Sequence, residues 1–238
     1  MPTDAPDPAI DLTLRPATEA DARAIADVHL ASRHAAAMPA SVHEDRDAYP
    51  WIERQLREND AWVAEVDGEI VGYAVITPTW LDNLFVLPDH AGRGVGSALL
   101  DLTKAQRPDG FCLWVFEMNT PARGFYEHHG LVELERTDGS GNEEKAPDVR
   151  MAWPGVDPLR FYRGLIDEVD EQLGDLLARR AALTRAVHAH KGGPARDPER
   201  EREIAASLAR RAPALGQERI SRIVHAIITE SIDAAELP

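Results

Sequence analysis

The hydrophobic pattern of this 238-residue chain changes once, near residue 154, and does not change back. Before that point, short apolar runs typical of β-strands are interspersed with helical patterns. From Leu159 onward, apolar residues recur only at helical spacing. The segment PGVDP at 154–158 separates the two regions with two prolines, which disfavour a continuous helix or strand. The pattern therefore predicts two units, a mixed α/β domain and then an all-helical one.

The sequence divides into four segments. We expect a disordered tail at 1–10, an α/β domain at 11–154, a linker at 155–158 and a helical domain at 159–238. The tail lacks the basic and apolar regions of a signal peptide. Strands are predicted at 12–15, on either side of Asp67-Gly68 within 61–78, and at 81–88, 111–118, 131–136 and 149–153. Helices are predicted at 19–36, 49–59, 97–106, 120–130, from 159 to about 191, 199–211 and 218–235.

Composition excludes some classes of protein. No run of 18 or more apolar residues occurs, so the sequence predicts no membrane-spanning segment. The single cysteine, Cys112, excludes an intrachain disulfide and suits the reducing cytoplasm. Its apolar setting, FCLWV, favours a buried strand residue over a nucleophile, because apolar burial raises the pKa of a thiol.

The net charge of −15 is concentrated in the first domain. Residues 1–156 contain 27 acidic and 13 basic residues, whereas residues 157–238 contain 14 and 13. An acidic domain is a poor partner for nucleic acid and attracts a cationic substrate such as an amine. Acidic surfaces also serve solubility alone, so the charge does not decide between these two interpretations.

A glycine cluster, PDHAGRGVGSALL at 88–100, follows a predicted strand and precedes a predicted helix. Gly92, Gly94 and Gly96 allow successive backbone N–H groups to point at one spot, and the helix N-terminus adds partial positive charge. This combination is typical of a pyrophosphate site. A dinucleotide-binding fold would have its glycines in the first β–α turn, whereas several strands and two helices come first here. A Walker loop is excluded because no Gly-Lys-Ser/Thr follows.

Two segments resemble the acetyl-CoA motifs of the GNAT superfamily of N-acetyltransferases. The strand LFVLP, the loop GRGVG and the helix SALL are similar to the first motif, and NTPARGFYEHHGL at 119–131 is similar to the second. The resemblance covers about residues 11–154 and implies acetyl-CoA as co-substrate and an unidentified amine as acceptor. It implies that the Val86 backbone pairs with the pantetheine arm and that Asn119 touches the cofactor. The residues that it implies around the pyrophosphate are Arg93, Gly94, Val95, Gly96 and Ser97.

Acetyl transfer to an amine needs a route for the proton of the amine, which a general base would provide. Glu117 and Asp82 are both candidates, and each is also consistent with a solvated carboxylate. The GNAT resemblance implies that Tyr126 protonates the departing thiolate; the alternative is an aromatic side chain that packs its helix on the sheet. We expect His128 and His129 at the surface. No His/Cys cluster has metal-ligand spacing, so no metal site is predicted.

Three cations share the long predicted helix of the second domain. Lys191 follows Arg180 by 11 residues, which places the two about 20° apart on one helical face. Arg163 precedes Arg180 by 17 residues and lies about 100° round the helix. It does not easily serve the same pocket within one chain, but it reaches the pocket of a second chain that packs antiparallel. The apolar residues of this amphipathic helix are Ile166, Val169, Leu173, Leu176, Leu177, Leu183 and Val187.

The segment 162–191 resembles the all-helical chorismate mutases. DPEREREI at 197–204 is similar to the next helix of that family, and IITESI at 227–232 is similar to its third. The resemblance covers about residues 157–236. It implies a homodimer that rearranges chorismate to prephenate without a cofactor. This unimolecular reaction needs a compactly held dianion and a stabilised charge on the ether oxygen.

The resemblance also assigns roles to seven residues. Arg180 and the partner subunit's Arg163 would bind carboxylates, and Arg200 would assist at the ring carboxylate. Lys191 would donate to the ether oxygen. Glu201 and the Asp197 backbone would recognise the ring hydroxyl, and Ser231 would line the site. Four residues after that serine, where the family usually has Gln or Glu, this chain has Ala235. Losing one such donor typically costs about 10²–10³ in rate.

The preferred prediction is a bifunctional cytoplasmic enzyme with no nucleic-acid or membrane partner. The alternative is an acetyltransferase alone, whose helical domain dimerises the enzyme or senses an aromatic acid. A third hypothesis makes both halves scaffolds, which the intact set of charged residues in the second domain argues against.

Overall fold

The computed structural model describes residues 11–191 and 196–236, apart from the side chains of Lys191 and Glu236. The tail predicted at 1–10 lies outside the described residues. The chain divides into two compact units, the first ending at Tyr162 and the second beginning at Arg163. This point lies inside a helix that begins at Pro158, because the first turn of that helix belongs to the first unit. Arg160 pairs with Asp109 at 3.5 Å, and Phe161 packs against Gly110.

Strands and helices alternate in the first unit much as the sequence predicts. The strands are β1 Leu12–Pro16, β2 Asp60–Val66, β3 Glu69–Ile76, β4 Leu81–Val86, β5 Phe111–Phe116, β6 Val132–Thr137 and β7 Asp148–Trp153. The helices are α1 Ala22–Ala35, α2 Ala48–Glu58, α3 Val95–Gln106 and α4 Thr120–His128. The hairpin predicted at Asp67-Gly68 joins β2 to β3, and both turn residues have positive φ, 53° and 80°, as a tight two-residue turn requires.

The strands form two sheets that meet at one point. The first has the order β1-β2-β3-β4 and the second β5-β7-β6, with antiparallel pairing throughout both. A parallel bridge joins Trp80 to Cys112, where the Cys112 N–H donates to the Thr79 carbonyl at 2.9 Å. Beyond this bridge no ladder is formed between β4 and β5 in the described part of the chain. The two parallel strands therefore open a wedge, and the predicted mixed α/β fold is confirmed.

Alternate residues of β2 and β3 point into two cores. Val63 and Tyr73 pack with α1 and α2 on one face of the sheet, around Ile25 and Ile52. The other face packs against α3 and α4, whose fully buried residues include Leu99. Because helices cover both faces, the wedge between β4 and β5 is walled on each side.

The second unit contains three helices, α5 Pro158–Lys191 from Arg163 onward, α6 Pro198–Arg211 and α7 Gly216–Glu236. Its buried core lies between α6 and α7, around Ala205, Val224 and Ile228. The seven apolar residues that define the amphipathic face of α5 are all exposed, from 38% for Leu177 to 61% for Leu183. None of the described helices is both long enough and apolar enough to cross a bilayer.

Candidate active sites

The glycine loop before α3 forms a backbone cradle. Gly94 adopts φ 87°, a left-handed conformation that side chains disfavour, and from there α3 begins at Val95. The Ala98 N–H makes the first bond of the helix, to the Gly94 carbonyl at 2.9 Å. The N–H groups of Val95, Gly96 and Ser97 therefore have no carbonyl to bond within α3. These three donors at a helix N-terminus suit a pyrophosphate, whereas the Arg93 side chain is exposed beside them.

His129 bridges this cradle to α4. Its Nδ1 lies 2.8 Å from the Phe125 carbonyl, which can only accept, so Nδ1 carries the proton in the neutral ring. Nε2 then accepts from the Ser97 hydroxyl at 3.0 Å. Ser97 thus offers its backbone N–H, rather than its hydroxyl proton, to a bound phosphate. His129 is half-buried where it makes this bridge, whereas His128 is exposed as predicted.

The outer edge of β4 faces the wedge. The Leu87 N–H donates to Val71 of β3 at 2.8 Å, so by strand alternation the amide of Val86 points away from β3. The Val86 carbonyl accepts a hydrogen bond from the buried Ser32 hydroxyl of α1, at 2.8 Å. Val86 therefore offers an N–H at this edge. Sequence reasoning identified Val86 but missed Ser32, which lies 54 residues away in the chain.

A cleft of about 1670 Å³ extends from the wedge to the segments around α1 and α2. Residues of β4 and β5, among them Phe85 and Val115, form its walls. Two guanidinium groups line it, those of Arg33 and Arg54. The carboxylates that line it are Glu44, Asp45, Asp47, Asp82, Glu143, Glu144 and Asp148. The cleft is therefore strongly acidic, which suits a cationic ligand.

Ion pairs hold the loop between β6 and β7 against residues on the other side of this cleft. Arg33 of α1 pairs with Glu144 at 2.6 Å, and His43 lies 2.8 Å from Glu143. Within the loop, the Asn142 amide donates to the Ala146 carbonyl at 2.7 Å. The sequence predicts only a polar loop here, since the partners lie more than 90 residues apart.

The two candidate bases lie in different surroundings. Asp82 lines the cleft; the residue as a whole is exposed, and partial desolvation at the cleft wall raises the pKa of its carboxyl. Glu117 is not among the residues that line the cleft; it pairs with Arg136 at 2.6 Å. Because a general base must reach the proton that it removes, the geometry favours Asp82.

Tyr126 and Asn119 lie near the C-terminal end of β5. Tyr126 is 8% exposed and lines the cleft, and burial raises the pKa of its phenol above the ordinary value. The phenol therefore stays protonated and is a weaker acid than a free tyrosine. The Asn119 side chain lines the same cleft and caps α4, accepting from the Ala122 N–H at 3.3 Å.

In the second unit, Arg180 of α5 and Ser231 of α7 meet at one carbonyl. The Arg180 guanidinium donates to the Ile227 carbonyl at 3.3 Å, and the Ser231 hydroxyl donates to the same oxygen at 2.6 Å. Ser231 is buried. The structure thus brings two of the predicted residues together.

The N-terminus of α6 holds two more of the predicted residues, Asp197 and Glu201. The Asp197 carboxylate caps α6, accepting from the Glu199 and Arg200 N–H groups, each at 3.0 Å. Glu201 pairs with Arg196 at 2.5 Å, which lowers the pKa of its carboxyl. Arg196 also contacts His225 of α7 at 2.7 Å. Sequence reasoning missed both Arg196 and His225.

Three predicted positions do not join this cluster within one chain. Arg163 is exposed and lies about 25 Å from Arg180 along the axis of α5. Arg200 pairs with Glu203 at 2.9 Å. Lys191 ends α5, and its side chain lies outside the described residues. Among the described residues, no group of three His, Cys, Asp or Glu side chains is placed to hold a metal ion.

The splayed strands beside a helix N-terminus with three N–H groups that have no partner within the helix are typical of one class, the transferases of coenzyme A thioesters. Residues 57–133 match the family model of the acetyltransferase (GNAT) domain, and residues 162–236 match that of chorismate mutase type II. The chain belongs to the GNAT family of N-acetyltransferases, which use acetyl-CoA, and carries a chorismate mutase type II domain behind it. It therefore combines two enzyme families, as the sequence predicts.

Individual relatives agree with this assignment. The peptidyl-lysine N-acetyltransferase YiaC of Escherichia coli is 31% identical over 118 residues, covering 48% of this chain and 77% of YiaC. YjaB of Salmonella typhimurium, also a peptidyl-lysine N-acetyltransferase, is 33% identical over 42% of this chain and 68% of its own length. The crystal structure of a GCN5-related N-acetyltransferase from Rhodopseudomonas palustris, 26% identical, superimposes with a TM-score of 0.51 over 60% of this chain and 94% of that one.

Proposed function

We propose that the first domain acetylates the side-chain amine of a lysine in a peptide. The acidic cleft carries this proposal, because seven carboxylates against two guanidinium groups attract a cation to the wedge beside the phosphate cradle. YiaC and YjaB, named as peptidyl-lysine N-acetyltransferases, support the same acceptor.

Each side chain has a defined part in this proposal. Acetyl-CoA supplies an activated acetyl group, and the N–H groups of the cradle and of Val86 hold its phosphate and pantetheine portions. Asp82 accepts the proton that the lysine ammonium must lose before it attacks. Tyr126 donates a hydrogen bond to the sulfur as negative charge develops there. Because its pKa is raised, the phenol keeps its own proton and stabilises the thiolate, which takes up the second proton of the attacking nitrogen and leaves as the coenzyme A thiol.

The test uses the purified full chain, acetyl-CoA and the peptide acetyl-Ala-Lys-Ala-amide, with its norleucine counterpart as the matched control. Thiol release and the mass of the peptide are measured together. We expect one acetyl group on the lysine peptide and no modification of the norleucine peptide. Equal thiol release with both peptides and no mass change would mean hydrolysis only, and would overturn the proposal.

For the second domain we infer a homodimeric chorismate mutase, in keeping with its family. The apolar face of α5 is exposed in a single chain. A second copy of α5 would bury this face, and its charges would be complementary to those of the first copy. The first half of the helix has four carboxylates, Asp167, Glu168, Asp170 and Glu171, against Arg160 and Arg163, and the second half has four cations, Arg179, Arg180, Arg185 and Lys191, against Asp175. Antiparallel pairing of two copies sets each acidic half against a basic half.

The same antiparallel pairing brings the partner subunit's Arg163 to the pocket of the first chain. Arg180 and Lys191 serve the pocket of their own chain, and the partner subunit's Arg163 completes the carboxylate contacts. Glu201 and the Asp197 backbone receive the ring hydroxyl, Arg200 turns from Glu203 to the ring carboxylate, and Ser231 lines the pocket. These charged donors hold the substrate compactly and stabilise charge on the ether oxygen. We place the enzyme in the cytoplasm, where its single cysteine, Cys112, stays reduced.

Chorismate consumption, followed in the ultraviolet, tests this activity with Lys191→Ala as the control. We expect turnover by the wild-type chain, slowed by the Ala235 position, and none by the variant. Equal inactivity of both, with chorismate still bound in calorimetry, would favour the alternative in which the domain senses an aromatic acid.

A further inference from the structure

A buried tyrosine is bonded to a histidine at the wall of the acetyltransferase cleft. Tyr73 of β3 is fully buried, and its hydroxyl lies 2.8 Å from Nδ1 of His29 on α1. Within the described part of the chain, this is the one hydrogen bond of the Tyr73 hydroxyl. Burial also raises the pKa of Tyr73 well above its ordinary value, so the phenol keeps its proton.

This contact fixes the tautomer of His29. A buried hydroxyl proton without an acceptor costs about 1–3 kcal/mol, so the Tyr73 O–H donates to Nδ1. Burial lowers the pKa of His29 to about 4, and the ring is neutral at pH 7. A neutral ring that accepts at Nδ1 carries its proton at Nε2. His29 therefore presents a donor and is not a general base.

The donor faces the cleft. His29 lines the cleft together with Trp51 and Phe85, whose rings lie 5.3 and 4.9 Å from its own. Nε2 has no hydrogen-bond partner among the described residues, and it is not buried away from solvent. An N–H group beside aromatic side chains at a cleft wall is suited to a flat group that carries an oxygen acceptor.

We propose that His29 orients the acetyl acceptor, its Nε2–H donating a hydrogen bond to an amide carbonyl oxygen of that acceptor. A free carboxylate would also accept this bond, but the carboxylates that line the cleft repel it. The acceptor is therefore an amine attached to a neutral amide, as in a peptide, rather than a free amino acid or a simple alkylamine. The inference rests on the acetyl transfer proposed above.

The tautomer is tested by ¹⁵N NMR of the His29 ring in the full chain. We expect a protonated Nε2 and an unprotonated Nδ1 at pH 7, and a mixture of tautomers in Tyr73→Phe. Titration with Nα-acetyl-lysine methylamide should shift the Nε2–H resonance, whereas pentylamine should not. A protonated Nδ1, or a resonance that does not respond to the amide, overturns the inference whatever the turnover.

Kinetics separate orientation from a structural role. We expect His29→Ala to raise the KM of Nα-acetyl-lysine methylamide about five- to tenfold, as loss of one hydrogen bond predicts, with kcat and the KM of pentylamine little changed. His29→Gln keeps an N–H donor at the ε position and should recover most of the loss. Equal losses for both amines would overturn the inference. Absence of turnover with either amine, while the NMR signal still responds to the amide, would count against the acetyl transfer and not against the contact.

Discussion

The hydroxyl of Ser97 lies 3.0 Å from Nε2 of His129, although 32 residues separate them in the chain. This hydrogen bond joins the first turn of α3 to the end of α4. Lys104 adds a second link, donating to the His129 carbonyl at 2.7 Å. The backbone donors of the phosphate cradle are therefore held in place from a neighbouring helix.

Removal of this link should weaken acetyl-CoA binding. We expect His129→Ala to raise the KM of acetyl-CoA about three- to tenfold and to leave kcat within about twofold, since the side chain is remote from the reacting atoms. Initial rates over a range of acetyl-CoA concentrations measure it. His128→Ala, at the adjacent exposed position, is the control, and equal effects of the two variants would contradict the assignment.

The two candidate bases should differ sharply. Asp82→Asn should lower kcat about 10²–10⁴-fold with the lysine peptide, because it removes the base that lines the cleft. Glu117→Gln breaks only an exposed pair with Arg136 and should change kcat less than about threefold. Rates at pH 7 and pH 9 distinguish base loss from misfolding, since a higher pH deprotonates more of the amine and should partly restore Asp82→Asn.

His29 should make the stability of the first unit depend on pH. Its pKa falls from 6.5 in the unfolded chain to about 4 in the folded one. The unfolded state therefore binds more protons between these values, so stability is complete above pH 6.5 and declines toward pH 4, by about 3 kcal/mol. His29→Gln should remove that part of the decline. Urea unfolding followed by tryptophan fluorescence reports the first unit, because all five tryptophans precede residue 154; parallel curves for the two proteins would refute the shift.

Two adjacent arginines of α5 should behave differently. Arg180 meets Ser231 at the Ile227 carbonyl, whereas Arg179 is exposed and about 100° away round the helix. Arg180→Ala should lower chorismate turnover at least about 10²-fold, and Arg179→Ala less than about threefold. Acetyl transfer by both variants serves as the folding control. If Arg179→Ala were the inactive one, the proposed pocket would lie on the wrong face of α5.

The apolar face of α5 should decide the oligomeric state. The double variant Leu173→Glu/Leu177→Glu places two charges in the proposed contact and should convert the dimer to a monomer in light scattering. Chorismate turnover should be lost with the dimer, since the partner subunit's Arg163 is then absent, while acetyl transfer persists. Leu208→Glu, on α6 and also exposed, is the matched control. A wild-type chain that is already monomeric would contradict the pairing.

Local chemistry explains why much of the fold follows from the sequence. The Asp67-Gly68 turn, the left-handed glycine before α3 and the helix end at Gly130, with φ 80°, each depend on residues adjacent in the chain. Periodicity likewise predicts the apolar face of α5, and the spacing of Arg180 and Lys191 places both on one side of that helix. The family resemblances added the candidate site residues of both domains to these predictions.

Long-range contacts determine the remaining features. The pairings of Ser32 with Val86, His129 with Ser97, and Tyr73 with His29 join residues 32 to 54 positions apart. Nothing in the local sequence favours one such partner over another, because each hydrogen bond forms only after the helices have packed on the sheet. The sequence alone therefore determined which elements form and which two enzyme families they belong to. The tertiary structure alone decided that Asp82, and not Glu117, lines the cleft, and that His29 at the cleft wall carries its proton at Nε2.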